Sequence, residues 1–184
     1  GDSQTRLILI TIFLTLWGLR LAYTFWRRGY YKWSFEDHRW DLVKKRYNYP
    51  EKKLGFHIYN FIFMCFMQNW ILLGYVLPMW YIQTNKQEPF NIFDCTVASF
   101  YIIFYLIEAI ADEQQWRFQS AKHKWLNEHN SSRSKSSSYT SEQVEDFKRG
   151  FLCKGLFAYC RHPNYFGDIL LWWSIYFFTI SSQY

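Results

Sequence analysis

Four cysteines occur in 184 residues, and none of their spacings matches a metal-binding pattern. Cys65 and Cys95 lie within or beside apolar segments, and Cys153 and Cys160 fall on the side inferred below to be cytoplasmic, so reduced, structural thiols are expected and no metal site is. Long runs of one charge are missing too. The basic residues of the first charged loop are interleaved with Glu36, Asp37, Asp41 and Glu51, so the net charge of +6 is not the footprint of a nucleic-acid-binding surface. No internal repeat is found, which excludes a solenoid or array. No secretory cleavage pattern follows the first apolar stretch, which therefore reads as a retained helix.

What the chain has in abundance is apolar length. Four stretches stand out, Leu7–Trp26, Phe56–Ile82, Ile92–Ala111 and Tyr165–Ile180, in a chain that is 23% aromatic. The first three reach the roughly 20 residues needed to cross about 30 Å of hydrocarbon. The fourth is nearer the lower limit and is allowed an earlier start, around Leu156. The negative mean hydropathy of −0.24 reflects dilution by two long charged loops. The expectation is an all-α, polytopic membrane helical bundle, one domain over residues 1–184 with about four spanning helices. Residues 130–141 carry serine at seven positions and read as a mobile surface loop.

Charge placement orients the bundle. Nine Lys and Arg lie between Arg27 and Lys53, nine more between Arg117 and Arg161, and only Arg6, Arg20 and Lys86 lie elsewhere. With four helices these two loops share one side, and the positive-inside rule makes that side cytoplasmic or its topological equivalent. The turn over residues 83–91 and both termini then face the opposite compartment.

Polar residues inside the apolar stretches narrow the function. Glu108, Asp112, Gln115 and Gln119 recur at helical steps and fall within about 60° of one another around the helix, with Lys122 continuing the stripe. Carboxylates facing lipid are costly, so the stripe faces other helices or a wet cavity. An ion pair to Arg20 or to the basic first loop would satisfy the carboxylates, whereas the amides suit a polar ligand. Arg20 lies about 9 Å from the end of its helix, within reach of snorkelling. Gln68 and Asn69, mid-span, read as hydrogen-bond glue between helices. Most of the aromatic excess belongs to interface belts and bundle packing, although a ring-rich lipid pocket would use it as well.

One segment concentrates polar chemistry at the mouth of a helix: Arg161-His162-Pro163-Asn164-Tyr165-Phe166-Gly167-Asp168. Pro163 suits a first helical turn, since its missing N–H would be unpaired there anyway. The free N–H groups of that turn, with Arg161 and His162 beside them, suit an anion at the membrane surface. A plain helix cap with a snorkelling arginine would use the same residues.

Three blocks occur in order: Leu16-Trp17-Gly18-Leu19-Arg20-Leu21 with Glu36-Asp37-His38-Arg39-Trp40, then Ala111-Asp112-Glu113-Gln114, then Gly155 through Asp168. Together they resemble the C-terminal domain of the steroid 5-alpha-reductase family, over most of the chain. Isoprenylcysteine carboxyl methyltransferases and sterol-ring reductases carry strings similar to Arg-His-Pro-x-Tyr, but the other two blocks favour the reductase-like branch. The resemblance implies a membrane enzyme that binds NADPH from the cytoplasmic side and reduces a carbon–carbon double bond conjugated to a ketone in a steroid or other lipid. Carried over by motif, Asp112 and Asn164 are dinucleotide contacts, Arg161, His162 and Tyr165 share the cofactor-facing segment, and Arg39 belongs to the first-loop block. Arginines, helix N-termini and amides are what pyrophosphate and ribose phosphate require.

Members of that family carry further helices before the first block and more membrane segment after the last, so the sequence is expected to be part of a longer protein, or of a lineage that has lost those parts. Asp168 stands where glutamate is frequent. No proton donor is assigned. Besides the reductase, two readings stay open: a non-catalytic descendant serving as a structural subunit of a larger membrane complex, and a methyltransferase using S-adenosylmethionine. The resemblance points to the endoplasmic reticulum, and the structural-subunit reading would suit the mitochondrial inner membrane equally.

Overall fold

A computed structural model describes residues 2–33, 38–51, 53–84, 88–130 and 139–183. Among these residues the fold is all-helical, in the order α1 (Asp2–Arg27), α2 (His38–Arg46), α3 (Lys53–Asn60), a π-helical segment (Phe61–Met67), α4 (Gln68–Thr84), α5 (Ile92–Asn130), α6 (Ser141–Arg149), a 3-10 turn (Gly155–Ala158) and α7 (Pro163–Ser181). Three described helical stretches are long and apolar enough to cross a membrane: Gln4–Arg27, Lys53–Thr84 and Ile92–His129. The fourth expected segment forms a helix of 19 residues, α7, whose polar first turn and aromatic content leave it outside those three. It does not start near Leu156. The chain makes only the short 3-10 turn there and begins α7 at Pro163, which fits at a first helical position and not further in.

The chain divides into two compact units, one of residues 1–94 with 175–184 and one of residues 95–174. In the first, α1 packs against α4. Its tightest point is a buried ion pair near the start of α1. The Arg6 guanidinium donates from Nε and Nη2 to the two carboxylate oxygens of Asp94, at 2.8 and 2.7 Å. Its remaining N–H groups reach the carbonyls of Glu88 at 2.7 Å and Pro89 at 3.0 Å. Ser181 Oγ and the Asn91 backbone N–H also donate to Asp94, at 2.5 and 2.9 Å. Both charged side chains are 0% exposed, so the desolvation of two ions is offset by a full set of charge-assisted bonds. Asn91 also accepts from the N–H groups of Phe93 and Asp94, capping the first turn of α5.

In mid-span, the π-helical segment closes with Gln68 N–H donating to the Phe63 carbonyl. The Asn69 amide donates at 2.6 Å to the carbonyl of Cys65 in its own helix. The expected bridge to a neighbouring helix is therefore replaced by a local bond, because a side chain four residues on reaches a carbonyl of the preceding turn without crossing a gap.

In the second unit α5 continues past the apolar stretch that ends at Ala111, through the polar stripe to Lys122 and on as far as Asn130. Its 39 residues, at about 1.5 Å each, span far more than the roughly 30 Å of a hydrocarbon core, so one end projects well clear of it. The projecting part carries its own small core. Phe147 of α6 sits against Phe118 and Trp125 of α5, with ring centroids 5.7 and 5.9 Å apart, and Tyr139 closes over it edge-on at 5.4 Å. Thr140 starts α6 with a capping box: its hydroxyl accepts from Gln143 N–H, and the Gln143 side chain accepts from Thr140 N–H. Of the expected mobile serine-rich loop, residues 131–138 lie outside the described residues, while Tyr139 to Ser141 are ordered into this packing.

Candidate functional site

The polar stripe on α5 and the segment from Gly150 to Tyr165 come together within the second unit. Glu108 is buried, and Asp112, Gln115, Gln119 and Lys122 are half-buried. The helix α7 approaches α5 very closely at one point. A side chain at Gly167 would place its first carbon 2.9 Å from the Phe104 carbonyl and 3.0 Å from Glu108, closer than atoms of that kind normally sit. Gly167 therefore brings the two backbones together next to the buried Glu108. Three residues earlier on α7, the Asn164 amide donates to the Asp112 carboxylate at 3.4 Å. The two residues assigned by motif as dinucleotide contacts, 52 positions apart in sequence, are thus neighbours.

The start of α7 follows the helix-terminus logic. Pro163 occupies its first position, and the His162 carbonyl accepts from Phe166 N–H at 3.1 Å. Arg161, His162 and Tyr165 are exposed, with the His162 and Tyr165 rings 5.5 Å apart. Gln115 from the stripe joins Phe151, Leu152, Cys153, Phe157, Arg161 and His162 around a cavity of about 480 Å³. Aromatic and aliphatic groups form most of its wall, and two cationic or potentially cationic side chains with one amide supply its polarity.

Residues outside the assigned set hold this cavity in shape. Gln114 Oε1 accepts from Leu156 N–H at 3.0 Å and so pins the 3-10 turn to α5. Gly155, in the left-handed region at φ 63°, lets the chain pass directly over that amide. Lys122 donates to the Gly150 carbonyl at 3.1 Å, fixing the other end of the segment. Lys154 bonds Glu142 at 2.7 Å and Asp146 at 3.0 Å, and these carboxylates, Glu142 foremost, raise its ammonium above the usual lysine range. The motif reading grouped Gln114 with Asp112 without giving it a task. Its partner is a backbone N–H 42 residues away, a contact with no local sequence signal.

Arg39 is the assigned residue these observations do not reach. Its backbone belongs to α2, in the other unit, and its side chain lies outside the described residues, as do residues 36 and 37 of the same block.

A chain that is all-helical among the described residues, with three helices long and apolar enough to cross a bilayer, is a polytopic membrane protein. It belongs to the family described as "Protein of unknown function (DUF1295)", which matches residues 1–184. The chain is similar to an uncharacterized protein of Schizosaccharomyces pombe, at 27% identity over 186 residues, covering 98% of this chain and 51% of that protein. It thus spans about half the length of the curated relative it matches. No solved structure matches it.

Proposed function

We propose that this chain forms the cofactor-binding part of a membrane-embedded, NADPH-dependent reductase acting on a carbon–carbon double bond in a steroid or other lipid enone. The observation that carries the reading is the cavity lined by Gln115, Arg161 and His162, one helical turn from the bonded Asp112–Asn164 pair. Its donor set fits the cofactor. Phosphates call for arginine and imidazolium, ribose hydroxyls for a carboxylate, and a carboxamide for amides. Its volume of about 480 Å³ falls in the range of ligand-binding clefts. The resemblance to the steroid 5-alpha-reductase family points the same way.

In this reading Arg161 and His162 bind phosphate, and Asp112 accepts from ribose hydroxyls while the Asn164 amide fixes the carboxylate's orientation. Tyr165 buttresses the His162 ring, and Phe151 and Phe157 keep water from the apolar wall. NADPH, when bound, supplies the hydride, and the chain's task is binding and orientation. The substrate arrives from the membrane, with the site facing the cytoplasm of the endoplasmic reticulum.

The test is consumption of NADPH by the purified protein in detergent with a panel of steroid and lipid enones, the product being identified by mass spectrometry. The reading expects a product heavier by two hydrogens and no consumption without an enone. NADPH binding with no turnover of any enone would favour the non-catalytic subunit. Binding of S-adenosylmethionine in place of NADPH would favour the methyltransferase.

A further inference from the structure

Two of the four cysteines open into one cavity. Cys153, half-buried, and Cys160, exposed, both line the 480 Å³ space beside Arg161 and His162, whereas Cys65 and Cys95 lie in membrane-spanning helices. Between the two cavity thiols the chain forms only the 3-10 turn Gly155–Ala158, flanked by residues in no regular helix, so the sulfur atoms can approach without unwinding an α-helix. The two thiols also differ. Arg149 lies within interaction range of the Cys153 side chain. Cys160 has no such partner described and is the more open of the pair. Arg161 adds positive potential to the shared space, which favours an anionic reactant.

We propose that Cys153 and Cys160 form a dithiol site that exchanges reversibly with a small anionic disulfide of the glutathione class. The Cys153 thiolate attacks one sulfur of the small disulfide. A mixed disulfide forms as the original sulfur–sulfur bond breaks, and the departing thiolate takes up a proton. Cys160 then loses its proton and attacks the Cys153 sulfur, closing the intramolecular disulfide and releasing the second small thiol. Two protein thiols are oxidised and one small disulfide is reduced to two thiols, so the electrons balance without another oxidant. This assigns the two thiols a reactive role in place of the structural one expected from sequence.

The experiment exposes reduced, detergent-purified protein to glutathione disulfide and follows it by alkylation and intact-mass spectrometry. The expected result is simultaneous loss of the Cys153 and Cys160 thiols to one internal disulfide, reversed by reduced glutathione, with Cys65 and Cys95 still alkylatable. Cys160→Ser stops at a single glutathione adduct on Cys153. A glutathione adduct on each thiol without closure, no reaction at either, or equal reactivity of all four cysteines would overturn the proposal. The wild-type measurement does not depend on any variant folding. The readout is thiol chemistry alone, so its failure leaves the NADPH reading untouched, and failure of NADPH binding leaves the dithiol untouched.

Discussion

At the scale of single residues, the site depends on contacts of two kinds. Asp112 and Asn164 were legible from sequence because the motifs containing them announce polar chemistry in apolar surroundings, and their hydrogen bond joins the two blocks. Gly167 and Gln114 sit inside the same motifs, yet their tasks were not legible. One is a backbone approach and the other a side chain reaching a distant N–H, and neither leaves a periodic or compositional trace. Replacing Gly167 by alanine sets a methyl carbon against the Phe104 carbonyl and the Glu108 backbone, neither of which is a flexible side-chain end. We expect Gly167→Ala to lower stability by about 1–3 kcal/mol, the usual range for overpacking, read as a lower unfolding midpoint in detergent. Unchanged stability would mean that α5 and α7 are less closely apposed than described.

At the scale of elements, hydrophobic length was the strongest signal and partners were the weakest. Three apolar stretches became long helices close to their expected cores, because a run of about 20 apolar residues has few alternatives in a membrane. The polar extension of α5 was invisible to hydropathy. It is defined instead by the packing of α6, whose capping box at Thr140 and apolar Phe147 lie in a charged region. Arg6 was legible only as an outlier of the charge bias, and its partner Asp94 lies 88 residues away. Because that pair is fully buried, Arg6→Leu leaves an unpaired carboxylate and is expected to cost about 3–5 kcal/mol, with part of the loss recovered in the Arg6→Leu/Asp94→Leu double variant. Equal destabilisation in single and double variants would contradict the pairing. The link between Lys154 and α6 carries a pH dependence. Its raised pKa means that its contribution is complete below the ordinary lysine value of 10.5 and disappears as pH rises through the folded value. The difference in Tm between wild type and Lys154→Met should therefore be constant from neutral pH to about 10 and shrink above it; a difference that persists unchanged in strong alkali would contradict this.

For the molecule as a whole, fold class followed from composition, while the expected orientation rests on where lysine and arginine concentrate. Of the residues proposed to receive a dinucleotide, Arg39 and Arg161 lie in these two loops, whereas Asp112, His162, Asn164 and Tyr165 flank the second. Arg161 serves both descriptions. The motif blocks singled out this region in the sequence, but its cavity was not legible there: the cavity needs the 3-10 turn, Gly155 and Gln114 to fold the segment over Gln115. The central claim is that this cavity takes NADPH. Its most direct test is calorimetric titration of NADPH into the protein in detergent, alongside Asp112→Ala and Asn164→Ala. The account predicts saturable micromolar binding, weakened by at least roughly tenfold in either variant, the loss of about 1.4 kcal/mol expected when a charge-assisted hydrogen bond is removed. Wild-type protein that is folded and does not bind NADPH, or variants that bind it as tightly as wild type, would contradict it.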